Sequence, residues 1–124
     1  MALWKRFEDM DLWKKGCRLT CDVYRATSAG ELKDDFALRD QLRKSALSVP
    51  SNVAEGFEID SPKGFVRHLR IAKGSAGELR TQLYIAGELG FISRQQMREL
   101  VARSKVVSRM AGGLITRLRP AKKA

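Results

Sequence analysis

Pro50 stands inside the stretch Leu47-Ser48-Val49-Pro50-Ser51-Asn52-Val53-Ala54-Glu55-Gly56, whose other residues read as helix. Proline has no N–H to offer the carbonyl four residues earlier, on Ala46, and the helix should bend there at a cost of about 3 kcal/mol. Something in the fold must offset that loss. Ser51 is placed to bond back to the Leu47 carbonyl and Ser48 to that of Lys44, as serines within helices do. Asn52 lies one turn beyond Ser48 on the same face, and Glu55 follows it.

The rest of the chain punctuates itself into helices. A first helix is expected over about 11–27, with Leu12, Cys17, Leu19, Thr20, Val23 and Tyr24 at core-facing spacings. Thr27-Ser28-Ala29-Gly30 ends it, and the aspartates of Glu31 to Asp35 suit a helix start. A second helix, about 36–58, runs through Pro50 with Leu38, Leu42, Ala46, Val49, Val53 and Phe57 inward. Ser61-Pro62 opens a third, about 62–89, because serine caps free N–H groups and proline is tolerated at the first helical position. Gly90 is its left-handed cap. Ser93 with Gln96 forms a capping box for a fourth helix, about 94–119, striped by Met97, Leu100, Val101, Ser104, Val107, Ala111, Leu114, Ile115 and Leu118. Pro120 stops it before a short basic tail over 120–124. At 124 residues the chain suits one domain over 1–124 and is too short for two cores.

Short loops make successive helices antiparallel, and a turn centred near 59–60 sets positions adding to about 119 opposite each other. Ser45 then faces Gly74 and Leu42 faces Gly77. Glycine within a helix costs about 1 kcal/mol relative to alanine, so Gly64, Gly74, Gly77 and Gly87 need a reason. A close backbone approach of Ser45, Ala46 and Ser48 to Gly74, Ser75 and Gly77 would be one. The same register brings Glu78 to Arg39 and Arg43, as an ion pair that would fix the crossing, and His68 opposite Ser51 and Asn52.

Four segments carry a family resemblance: Phe7-Glu8-Asp9-Met10-Asp11-Leu12-Trp13-Lys14-Lys15, Leu42-Arg43-Lys44-Ser45-Ala46, the proline motif, and Ile71-Ala72-Lys73-Gly74-Ser75-Ala76-Gly77-Glu78-Leu79. Together they resemble the bacterial 23S ribosomal RNA intervening-sequence proteins, which are similar to accessory variability proteins of diversity-generating retroelements. The resemblance implies an all-α, antiparallel up-and-down four-helix bundle, assembled as a homopentamer in the cytoplasm, without enzyme activity. It also implies a nucleic-acid role, with RNA or DNA and a protein such as a reverse transcriptase as partners. Gly64 and Gly77, where larger residues are expected, and Arg80, where an acid is, depart from the pattern.

Charge is unevenly distributed. The net charge is +10, and residues 94 to 124 hold nine Lys and Arg against one acid, Glu99. Such a block points to a polyanion partner. On the third helix Lys63, Arg67 and Arg70 form one stripe, with Lys73 and Arg80 on another side. On the fourth, Arg94, Arg98, Lys105 and Arg109 share an outward face with Arg103 beside it, and Arg117, Arg119, Lys122 and Lys123 extend the charge past its end. Tyr84 and Phe91 fall at core or interface positions rather than between the cations, so binding should be sequence-tolerant and salt-sensitive.

Chemistry finds little foothold. Nucleophilic catalysis needs a base beside the hydroxyl, and His68 is the single histidine, so a nuclease built on it is disfavoured against simple pairing of the polar groups Ser48, Ser51, Asn52 and Glu55. Cys17 and Cys21, four apart on one helix, read as small buried apolar residues in a reducing compartment, because a disulfide there would strain the helix. Neither a metal site nor a cofactor is expected. Trp4, Lys5, Arg6, Glu8 and Asp9 do not make a signal peptide, and no run approaches the roughly 20 apolar residues of a membrane span. The leading reading is a non-enzymatic bundle that binds nucleic-acid phosphates, the alternative a protein–protein scaffold. In both, Ser48, Pro50, Ser51, Asn52, Glu55, Gly74, Ser75 and Glu78 are architectural.

Overall fold

In the computed structural model, which describes residues 4–119, four helices carry the architecture. They are α1 Asp11–Thr27, α2 Phe36–Glu58, α3 Pro62–Glu88 and α4 Arg94–Leu118, with short 3-10 turns at Phe7–Asp9 and Gly30–Lys33 and no strand among the described residues. The basic tail at 120–124, with Pro120, Lys122 and Lys123, lies outside the described residues.

Local chemistry starts and stops the helices. The Asp35 carboxylate accepts from the Leu38 N–H, Ser61 from Gly64 and Ser93 from Gln96, so α2, α3 and α4 each begin on a side chain that satisfies a free amide. Gly90, at φ 75°, reverses the chain after α3, and Asp60, at φ 59°, does so between α2 and α3; aspartate tolerates that left-handed conformation better than most residues. Each helix packs on its neighbours in sequence, and α1 closes the arrangement against α4. Leu19, Val49, Val53, Phe65, Leu69, Leu79 and Val107 are at most 2% exposed and fill the centre.

The carbonyl stranded by Pro50 finds its partner on α1. The Thr20 hydroxyl lies 2.8 Å from the Gly16 carbonyl and 3.0 Å from that of Ala46, and its single proton is shared between them. One turn away, Gly16 makes room for the proline ring: a Cβ at Gly16 would stand 3.3 Å from Pro50 Cβ and Cδ. The proline is therefore buried in the α1–α2 contact, and α2 continues through it as helix.

Several expected contacts are replaced. Ser48 Oγ meets Ser75 Oγ at 2.8 Å, which moves the α2–α3 register about one helical turn from the expected one. Asn52 Nδ2 donates to the Ser48 carbonyl and hydroxyl, while Ser51 is exposed. Gly74 does not sit in a close crossing, since a Cβ there would have nothing within 4 Å, and one at Gly77 would meet only Arg80 at 3.7 Å. The close approach lies at Gly56, where a Cβ would stand 2.7 Å from His68 Cβ and 3.1 Å from Phe65 Cδ1. Glu78 is exposed and unpaired among the described residues. Arg39 instead bonds Asp40 and the Lys33 carbonyl, and Arg43 bonds Thr27 and Ser28 while stacking on Tyr24 at 4.6 Å. That stacking explains why Tyr24 lies outside the core. Cys17 is half-buried and Cys21 exposed, both as free thiols, because they lie on the rim of α1 rather than its inward stripe.

Two measurements follow. Thr20→Val should lower stability by about 1–3 kcal/mol in urea titration, because it strands the Ala46 carbonyl again. In a Pro50→Ala background the restored N–H serves that carbonyl, so the cost should shrink, and equal costs in both backgrounds would contradict the account. Gly56→Ala should lower the melting temperature, whereas Gly74→Ala, with open space around it, should add up to about 1 kcal/mol of stability; the opposite order would show the close approach to be misplaced.

Candidate nucleic-acid interface

Antiparallel packing sets the start of α3 beside the end of α4, so cations remote in sequence become neighbours. Lys63, Arg67 and Arg70 on α3 are exposed, as are Arg94, Arg98, Lys105, Arg109 and Arg117 on α4 and Arg119 just beyond it. Among the described residues none of these nine is in an ion pair. From Arg94 to Arg117 the positive charge runs along about 35 Å of helix. Lys63 and Arg94 lie in first turns that carry no acid. Placement at the positive end of the dipole opposes helix stability, so it does not account for these charges.

Arg103 stands apart from this set. Its guanidinium donates to Asp22 on α1 at 2.7 Å and is half-buried, so it ties α4 to α1.

Two basic residues outside the expected stripes join the arrangement. Arg80 leans from α3 onto α4, donating to Ser108 Oγ at 2.8 Å and to Ser104 Oγ at 3.3 Å. Ser104 is buried and passes its own proton to the Ala76 carbonyl at 2.9 Å. Lys73 crosses the same seam, its Nζ lying 3.7 Å from where a Cβ on Gly112 would be. With Arg70 and Arg119 these residues line a cleft of about 440 Å³. A second cleft of similar size, lined by Lys63, Val66, Arg70, Leu118 and Arg119, adjoins it through the shared Arg70 and Arg119. Spacing alone does not reveal these partners: a turn at Gly90 sets positions adding to about 180 opposite each other, which puts Arg80 against Leu100 and not against Ser104 or Ser108.

The polar group around Pro50 does not assemble a reactive pair. His68 Nδ1–H donates to the Gly64 carbonyl at 3.0 Å, and Nε2 faces the Glu55 carboxylate at 3.5 Å. It therefore meets α2 at Glu55 and not at Ser51 and Asn52, as the one-turn shift in register requires. No hydrogen bond joins it to a serine hydroxyl among the described residues, and no group of three or more His, Cys, Asp or Glu side chains there is arranged to hold a metal. No helix of the described residues is long and apolar enough to cross a membrane.

The profile of the family described as 23S rRNA-intervening sequence protein matches residues 8–113. A solved structure of a protein of unknown function from the S23 ribosomal protein family of Bacteroides thetaiotaomicron VPI-5482 superposes with a TM-score of 0.77 at 21% identity, covering 84% of this chain and 97% of the other. At that identity the likeness concerns the fold. No curated protein matches the chain.

The pair that ties Arg103 to α1 should also couple the stability of the bundle to acid. The Arg103 hydrogen bond, assisted by Arg25, holds the Asp22 carboxyl below its ordinary value despite partial burial acting the other way. A carboxylate with a lowered native pKa contributes stability that is present above the unfolded value, about 3.9, and is lost as pH falls through the native value. Asp22→Asn should therefore flatten the acid limb of a melting-temperature profile below about pH 4. An unchanged profile would show that the pair does not couple to folding.

Proposed function

Because the chain belongs to the family of 23S rRNA-intervening sequence proteins, small helical proteins of unknown function, we propose that it is a non-enzymatic, oligomeric cytoplasmic bundle that binds RNA or DNA phosphates through α3 and α4. The observation that carries this reading is the set of exposed cations on α4, Arg94, Arg98, Lys105, Arg109 and Arg117, none of them in an ion pair among the described residues, supported by Lys63, Arg67 and Arg70. Phosphate contacts are supplied by such side chains, and binding that rests on them is insensitive to sequence.

An apolar stripe on α3 supports self-association. Ile71, Ile85 and Leu89 are 44%, 47% and 57% exposed and share one helical face with Glu78 and Gln82. The Gln82 side-chain oxygen is buried without a hydrogen-bond partner, a deficit that a second copy can repair. A ring of five copies would repeat each basic face five times and multiply weak contacts. The same stripe is the observation that favours the alternative, a scaffold recruiting a protein partner such as a reverse transcriptase.

Filter binding across a salt series tests the first reading. RNA or DNA affinity should fall linearly with the logarithm of salt, and Arg98→Ala, Lys105→Ala and Arg109→Ala together should weaken it and lower the slope by about 2–3. Absence of binding at low salt, or a triple variant indistinguishable from the parent, would overturn it. Native mass spectrometry should show a pentamer that Ile71→Glu with Ile85→Glu dissociates, and a monomer in the parent protein would remove the oligomer from the proposal.

A further inference from the structure

The cleft between α3 and α4 differs in kind from the basic faces around it. Arg70, Lys73 and Arg119 stand exposed at its rim and Arg80 is half-buried in its wall. Among the described residues none of the four pairs with a carboxylate. Arg80 is held in place by neutral groups only, the Ser104 and Ser108 hydroxyls and the Ser104 carbonyl. Its position is therefore fixed while its charge is left uncompensated. Gly74 and Gly112 keep the walls low: the first has open space where a side chain would be, and the second lies under the Lys73 amine.

A larger hollow, about 550 Å³ at the other end of the bundle, lacks this character, because Asp22 and Glu99 oppose Arg25 and Arg103 across it. The α3–α4 cleft gathers cations without acids in a volume of about 440 Å³, within the range of about 300–1,000 Å³ that small ligands occupy.

We propose that this cleft is a binding site for a polyphosphate group, a chain of three or more phosphoryl units, held by Arg70, Lys73, Arg80 and Arg119. A single phosphate monoester brings a charge of about −1.5 to −2, which leaves about half of the four positive charges unmet, whereas a triphosphate chain approaches balance. A nucleic-acid strand presents its charges along a line, one per about 3.4 Å of helix axis; the cleft instead collects four cations in one hollow. No aromatic residue lines it, so a base attached to the chain would have no stacking surface and the site reads phosphate alone. The inference goes beyond nucleic-acid binding by the outward faces: Arg70 and Arg119 are shared with those faces, whereas Lys73 and Arg80 belong to neither outward stripe.

Isothermal titration of the full chain with sodium tripolyphosphate at low salt provides the test. One saturable site per chain is expected, with orthophosphate binding weaker by about tenfold or more. Lys73→Ala and Arg119→Ala, both at exposed positions and checked for an unchanged circular-dichroism melt, should each weaken tripolyphosphate by about tenfold. ATP and GTP that bind as tightly as tripolyphosphate would assign the site to terminal triphosphate groups; both binding more weakly would assign it to free polyphosphate. Either pattern supports the proposal. Lack of saturation, equal affinity for orthophosphate, or variants that bind like the parent would overturn it. The Arg98, Lys105 and Arg109 triple variant keeps the two readings apart: it should retain tripolyphosphate affinity whatever happens to its RNA binding.

Discussion

The bundle depends on one hydroxyl reaching one carbonyl. Pro50 removes the N–H that would have served Ala46, and Thr20 supplies a replacement from the neighbouring helix. Because Gly16 stands one turn from Thr20, the proline ring can settle against α1 instead of holding it away. A local defect in α2 thereby becomes a specific reason for α1 to lie where it does. An unsatisfied buried carbonyl costs about 1–3 kcal/mol, a large part of a small protein's stability, so alternative registers of α1 on α2 that leave Ala46 stranded are disfavoured.

The other seams use the same logic with different residues. Ser48 meets Ser75 between α2 and α3, and Arg80 meets Ser104 and Ser108 between α3 and α4. Asp22 and Arg103 join α1 to α4. Three of these four joints are made without a carboxylate. The cleft where α3 meets α4 is lined by Arg70, Lys73, Arg80 and Arg119 and by no acid. Neutral joints hold the seam together while its positive potential is left unopposed.

Much of the fold was legible because its signals are local. The caps at Ser61 and Ser93 and the left-handed turn at Gly90 involve residues at most a few positions apart, and backbone chemistry alone predicts them. The inward stripe of α4 follows from helical periodicity in the same way. Register between helices was less accessible. A shift of one turn keeps apolar faces in contact and changes only which small or polar residues meet, so spacing points to Gly74 and Gly77 for a close approach that the structure makes at Gly56. Spacing points the cysteines and Tyr24 inward for a related reason: periodicity identifies a face but leaves its edges undefined.

For the candidate site, the outward cations of α4 could be read from spacing, since a helix surface requires no knowledge of its neighbour. The withdrawal of Arg103 by Asp22, and the convergence of Arg70, Lys73, Arg80 and Arg119, could not. What the sequence determined by itself was a chain of helices with a proline to accommodate and a basic C-terminal half. Only tertiary structure decided that Thr20 and Gly16 accommodate that proline, and which cations stay free, because both outcomes depend on contacts between helices whose partners are set by three-dimensional register and not by distance along the chain.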